Sequence, residues 1–361
     1  MKNSYLTNSR LKIITDKKEN IMMDKVLLTG ISGWIAKHTA IELLNSGYEV
    51  LGTVRSDDVI SQTKETISKY ASIDKLSFVK LDLLSDEGWE EAAKGCRYIM
   101  HIASPFPMKV SKNRENLIPV AKDGTLRVLN AGIKANADQF VVTSSIAAMF
   151  RKPNRSNPYS FSENDWTDEN WVEGVNDYFL SKTVAEKAAW GLMESKGIKN
   201  KLTCINPGGV FGDALDTKGS TSIEYVRQFL KGKFPATPKW GILISDVKDV
   251  AKSHIACLGN SKVGGRRLII GKEVKTLLET SKILAEALPE YAKKLPKKTL
   301  PNFMVKFISI LDSSAKTMIP DLELEMKPET KYAEELIGFE FKPASGALVD
   351  AGKSVVRLGL A

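Results

Sequence analysis

The chain has 361 residues, room for one large domain or two that share a core, and its 43% hydrophobic and 26% charged content is that of a globular protein. Three scattered cysteines (Cys96, Cys204, Cys257) and three histidines without metal-ligand spacing argue against a disulfide framework and against a metal centre. The net charge of +9 is spread without a basic run, which fits an anionic small ligand and excludes a nucleic-acid stripe. No run of about 18 apolar residues is present, so no membrane partner is expected. Reduced cysteines point to a cytoplasmic protein. Residues 1–23 are mostly polar and basic, lack the apolar segment of a secretory signal, and are expected to form a flexible extension.

The first element carries the strongest local signal. Lys25 to Leu28 reads as a short buried strand, followed at once by a G-x-x-G-x-x-A turn and a helical pattern that Gly47 stops. Gly30 permits the tight turn, Gly33 lets a pyrophosphate approach, and Ala36 lets helix and strand pack closely. Free N–H groups and the helix dipole make this an anion site. Its candidate cofactor-binding residues are Thr29, Gly30, Ser32, Gly33, Trp34 and Ile35. Tyr48 to Val54 is a second strand, ending at Arg55. In a dinucleotide fold that end faces the adenosine ribose, where an acid selects NAD and an arginine pairs with the 2′-phosphate of NADP. Arg55 therefore favours NADP(H).

Strands and helices go on alternating. A helix is expected over Val59–Tyr70, a strand over Leu76–Leu81, a short helix over Asp86–Lys94 and a strand over Tyr98–Ala103. A long helix broken near Pro119 reaches Lys134, and a strand spans Gln139–Thr143. A helix from Val175 to Glu194 and a strand over Lys201–Asn206 complete the rhythm. The expected fold is α/β, a Rossmann-type doubly wound parallel sheet with a smaller C-terminal substrate lobe. The dinucleotide-binding part is expected over 24–206, rejoined by a strand and helix within 241–260. The substrate lobe takes 207–240 and 261–361, with a strand at Arg267–Ile270.

Tyr178 and Lys182 form a Y-x-x-x-K pair on one helical face. An ammonium beside a phenol favours the phenolate, so the tyrosine pKa is expected to fall toward neutrality and its proton to become exchangeable with a carbonyl or carbinol oxygen. The preceding strand ends in Ser144-Ser145, and one of these hydroxyls would hold the substrate oxygen.

On the segments TGISGWIAKH, GTVRS, LDLLSD, HIASPF, VVTSS, YFLSK, INPGGVFG, SENDWTDENW and ELIGFEFKP, the chain resembles the extended short-chain dehydrogenase/reductase family. The resemblance is closer to its dihydroflavonol reductase, cinnamoyl-CoA reductase and aldehyde/ketone reductase branch. It implies Ser145, rather than Ser144, with Tyr178 and Lys182 as the catalytic set. It further implies Asp82 and Leu83 around the adenine, and Ala103 and Ser104 along the ribose and phosphates. Pro207, Gly209 and Val210 would follow the nicotinamide, Ser222 the phosphate side, and Lys182 and Tyr178 would also touch the cofactor. The turn Ile146-Ala147-Ala148-Met149 lacks the polar residue with which flavonoid reductases hold a hydroxylated ring. The function implied is NADPH-dependent reduction of a small-molecule aldehyde or ketone by a monomer or homodimer. Competing readings are a nucleotide-sugar epimerase or dehydratase, a 3β-hydroxysteroid-type dehydrogenase, and a non-catalytic NADP-sensing protein.

Overall fold

The computed structural model describes residues 24–104, 113, 115–218, 220–310 and 312–361. The extension expected over 1–23 lies outside them. In chain order the first half holds β1 (Lys25–Leu28), α1 (Trp34–Asn45), β2 (Glu49–Val54), α2 (Ile60–Ser68), β3 (Leu76–Lys80), α3 (Trp89–Ala93), β4 (Tyr98–His101), α4 (Gly124–Lys134) and β5 (Gln139–Thr143). Then come β6 (Tyr159–Phe161), α5 (Asp177–Ser195), β7 (Leu202–Pro207), β8 (Gly209–Phe211), α6 (Thr221–Leu230), β9 (Gly241–Asp246), α7 (Val247–Cys257), β10 (Arg266–Ile270) and β11 (Glu273–Thr276). The chain closes with α8 (Leu277–Ala287), α9 (Asn302–Ile308), α10 (Ser313–Met318), β12 (Met326–Pro328), α11 (Lys331–Ile337) and α12 (Ala344–Arg357). None of the helices among the described residues is long and apolar enough to cross a membrane.

Seven parallel strands form the central sheet in the order β10-β7-β5-β4-β1-β2-β3. Strand order reverses between β1 and β4, and a ligand crevice opens at that point beyond the strand ends. The two-residue period of the strands sends alternate side chains to opposite faces. Val26 and Leu28 of β1, Tyr98 and Met100 of β4 and Val141 of β5 join one core, and Leu27, Ile99, Phe140 and Val142 join the other. Helices cover both faces, so the strands read as continuous apolar runs. Pro119, which has no N–H to donate, lies in a π-helical turn, Pro119–Asp123, that feeds α4.

The seventh strand departs from the sequence-based expectation. The run Gly241–Ser245 was expected to return to the sheet, and Arg267–Ile270 to lie in the smaller lobe. Instead β9 pairs with β8 and β11 in a separate three-stranded sheet, while β10 pairs with β7 from Arg266–Thr203 to Ile270–Pro207. Both runs are apolar and buried, so their patterns report strand character but not the sheet each joins. The chain turns out of the central sheet at Gly208, whose N–H bonds the Ser245 hydroxyl at 2.8 Å and leads into β8. A third core, around Phe211, Val226, Phe229, Leu284 and Leu348, joins α6, α8 and α12 to β8 and β9.

Candidate active site

The turn after β1 is shaped by what touches it. Gly30 has φ +68°, and a Cβ there would lie 2.8 Å from the Cβ of Ala103. Gly33 is the exposed N-cap of α1, with no side-chain cap and no acidic residue in the first turn. The N–H groups of Trp34 and Ile35 therefore have no partner within the helix and carry its positive dipole end. Ser32 and Ile35 are half-buried at this end.

Two expected cofactor residues have their side chains engaged elsewhere. Thr29 is fully buried, and its hydroxyl accepts from the N–H groups of Ile102 and Ala103, both at 3.0 Å, beside His101 Nδ1 at 2.9 Å. It joins β1 to the end of β4. The Trp34 indole donates to the Asp213 carbonyl at 3.0 Å and packs in the third core, so only its main chain faces the anion site. Both residue types looked suitable in sequence because a turn motif says nothing about rotamers.

Arg55 is exposed at the end of β2, and no ion pair among the described residues holds it. The neighbouring acids are engaged: Asp57 with Lys80 at 3.7 Å, Asp58 with the Ser56 hydroxyl. Asp82, beyond β3, is exposed and closes its own turn on the Leu84 N–H at 2.9 Å. Leu83 is half-buried against Gly124, where a Cβ would come within 2.9 Å of the Leu83 Cβ. Ala103 and Ser104, half-buried after β4, line one cleft with His101, Thr143, Ser144, Lys182 and Glu186.

Ser145, Tyr178 and Lys182 come together at the carboxyl end of the sheet. Asn176 caps α5 by accepting the Phe179 N–H at 3.0 Å, which starts the helix just ahead of Tyr178. Ser145 has extended backbone, bonds the Tyr178 phenol, accepts the Ala147 N–H at 3.1 Å and reaches the Pro207 carbonyl at 3.5 Å. Lys182 is buried and donates to the Thr143 carbonyl at 3.3 Å. Burial lowers its pKa to about 8, against the upward pull of Glu186. The expected fall of the tyrosine pKa does not occur in this state. Burial pushes the phenol above its ordinary value, and the Ser145 hydrogen bond opposes that rise. The same helical face does bring Lys182 near, but its ammonium is turned to Thr143.

The two adjacent serines separate cleanly. Ser144 donates to Glu186 at 2.5 Å and so faces away from the phenol. Glu186, His101, Thr143 and Arg267 were not singled out from the sequence. Glu186 continues the four-residue spacing of Tyr178 and Lys182, a signal that was available. Arg267 lies 81 positions from Glu186, and nothing local marks it.

On the remaining side, Pro207 is buried and Gly209 and Val210 are half-buried. Ser222, half-buried in the first turn of α6, is joined to the groove by no hydrogen bond among the described residues. The 151–174 loop is fastened by a buried ion cluster. Asp321 pairs with Arg151 and, at 2.8 Å, with Arg155. The Arg151 guanidinium lies 3.7 Å from the ring centre of Phe179, the residue after Tyr178.

Known proteins share this fold. The sequence model of the NAD dependent epimerase/dehydratase family matches residues 26–271. Cinnamoyl-CoA reductase 1 of Petunia hybrida is 34% identical over 267 residues, 74% of this chain and 78% of that protein. Yeast methylglyoxal/isovaleraldehyde reductase Gre2, solved with NADPH, superposes with a TM-score of 0.76 at 25% identity, covering 93% of this chain and 99% of that one. Gre2 of Candida albicans, also solved with NADPH, gives a TM-score of 0.75 at 26% identity over 93% and 99% of the two chains. The chain belongs to the NAD dependent epimerase/dehydratase family, the extended short-chain dehydrogenases/reductases, in the branch of the cinnamoyl-CoA and methylglyoxal reductases.

Proposed function

We propose that this protein is an NADPH-dependent reductase that converts an aldehyde or ketone to its alcohol, with Ser145, Tyr178 and Lys182 at the reacting oxygen. The observation that carries the reading is their convergence at the end of the sheet, beside the β1 turn. The turn fits a dinucleotide. It offers free helix N–H groups, a first helical turn without an acid, and a glycine at φ +68° that keeps side-chain bulk out of the crevice. Arg55, exposed and without an ion pair among the described residues, fits a 2′-phosphate. NADPH bound there would supply hydride to the carbonyl carbon.

The protein's own groups would do the rest. Ser145 donates a hydrogen bond to the carbonyl oxygen and stabilises the negative charge that develops on it. Tyr178 gives that oxygen its proton, and its raised pKa keeps the phenol protonated and ready in the resting site. Lys182, one turn along α5, would hold the ribose end of the cofactor and stabilise the phenolate that remains. The reading takes its substrate class from the relatives named for the reduction of methylglyoxal and isovaleraldehyde. Arg55 at the ribose position speaks against the epimerase reading, since NAD-retaining sites favour an acid there.

The test is consumption of NADPH by the purified chain over a panel of aliphatic and aromatic aldehydes and ketones, with NADH in parallel. Turnover of several carbonyls with NADPH preferred is expected. Tight NADPH binding with no consumption across the panel would contradict the reading.

A further inference from the structure

We infer that Glu186 and Arg267 act as a positioning pair that sets the Ser145 turn, the Tyr178–Lys182 helix and the 162–168 loop in one geometry. The inference rests on the reductase reading above.

Glu186 is 1% exposed and its two oxygens are fully engaged. They accept from Ser144 Oγ at 2.5 Å, Asn206 Nδ2 at 2.8 Å, Trp190 Nε1 at 3.2 Å, and Arg267 Nε and Nη2 at 2.5 and 3.3 Å. Asn206 Nδ2 also donates to the Ser145 carbonyl at 3.2 Å. Partners of this one carboxylate thus hold the main chain at Ser145 from two sides. Arg267 spends its other N–H groups on the 162–168 loop and on the turn after β5. It donates to the carbonyls of Glu163 at 3.0 Å, Asp165 at 2.5 Å and Ala148 at 3.4 Å, and its guanidinium lies 3.7 Å from the Trp166 ring centre.

A buried ion pair is a poor way to gain stability, because apolar residues of like volume often serve as well. What this pair supplies is direction. It ties β7, β10, the turn after β5 and the 162–168 loop to α5, the helix that carries Tyr178 and Lys182. It also supplies charge. Tyr178 and Glu186 lie one turn to either side of Lys182 on α5, and the Thr143 carbonyl, Ser144, neutral His101 and Ser104 line the cleft around it. Glu186 is the carboxylate in that lining, and it opposes the loss of the Lys182 proton that burial favours.

The experiment uses the full chain with Glu186→Gln and with the double variant Glu186→Gln/Arg267→Met. NADPH affinity is read by fluorescence titration across pH, beside kcat and melting temperature. Glu186→Gln should move the alkaline midpoint of NADPH binding down by about one pH unit and lower kcat about 10- to 100-fold. The double variant, which leaves no unpaired buried charge but removes the donor to three carbonyls, should recover part of the melting temperature while the midpoint stays displaced and kcat stays low. It also carries the test if the single variant fails to fold. A wild-type midpoint in both variants, with kcat returning together with melting temperature, would reduce the pair to a structural role and overturn the inference. Tyr178→Phe in the same assays tests the reductase reading separately, since it leaves the Glu186 network untouched.

Discussion

Ser144 and Ser145 show how a strand assigns different work to neighbours. Successive side chains at the end of β5 point to opposite faces, so one hydroxyl meets the Tyr178 phenol and the other meets buried Glu186. Spacing left the two as rivals, because it does not say which face of a strand end looks into the crevice, and Ser145 was selected by the family resemblance alone. Arg55 works at the same scale. Its exposed guanidinium has no ion pair among the described residues, so little must be broken for it to take a phosphate. A charge-assisted pair there is worth about 1.5–3 kcal/mol. Arg55→Asp should therefore weaken NADPH binding by about 10- to 100-fold while NADH affinity falls less. Titration of both cofactors checks it, and an unchanged NADPH affinity would remove Arg55 from the site.

Helix α5 and the β1–α1 turn are the elements that place the site. The four-residue ladder of Tyr178, Lys182 and Glu186 runs along one face of α5. Its first two rungs were legible because both residue types have evident proton chemistry. The third was not singled out because a helix glutamate usually faces water, and only the fold shows Arg267 of β10 closing over it. The turn was legible for a similar reason, since glycine spacing reports backbone demands directly, whereas the inward rotamers of Thr29 and Trp34 depend on β4 and on the Asp213 loop. Gly30 gives the sharpest test of the turn. Gly30→Ala forces a side chain into the left-handed region, costing about 1–2 kcal/mol for the backbone alone, and presses on Ala103 at 2.8 Å. A lower urea midpoint with an unchanged slope is expected, together with weaker NADPH binding. A variant as stable as the wild type would mean that the turn relaxes freely.

Across the whole molecule, the β-α rhythm from Lys25 to Pro207 was legible because the central strands β1, β4, β5 and β7 are buried on both faces and punctuated by turn residues. The seventh strand was not, because pairing between β7 and β10 joins residues some sixty positions apart and leaves no local trace. The three histidines tie distant parts of this fold together. His38 bonds the Asp213 carbonyl at 2.9 Å, His101 sits between Thr29 at 2.9 Å and Thr125 at 3.1 Å, and His254 meets Thr143 at 2.7 Å. Burial lowers their pKa values from 6.5 to about 4, 3 and 4 respectively. They are neutral in the folded state, so below pH 6.5 the unfolded chain binds more protons. The stability they protect is whole above about pH 6.5 and is lost as pH falls toward 4. By pH 5.5 each costs about 1.4 kcal/mol, or about 4 kcal/mol together. Urea unfolding at pH 7.5 and 5.5 should show a loss of that order, and a flat profile would mean that the rings are accessible to protons in the native state.

The central claim is that Tyr178 supplies the proton to a carbonyl oxygen held beside Ser145. The phenol of Tyr178 is half-buried and hydrogen-bonded to Ser145, and its ring keeps its packing when the hydroxyl is removed. The most direct measurement is the rate of NADPH consumption with the best carbonyl of the panel, for the wild type and for Tyr178→Phe, with NADPH affinity measured on both. Loss of a positioned general acid should lower turnover by about 10²- to 10⁴-fold, with cofactor affinity nearly unchanged. Turnover close to the wild type in Tyr178→Phe would contradict the account.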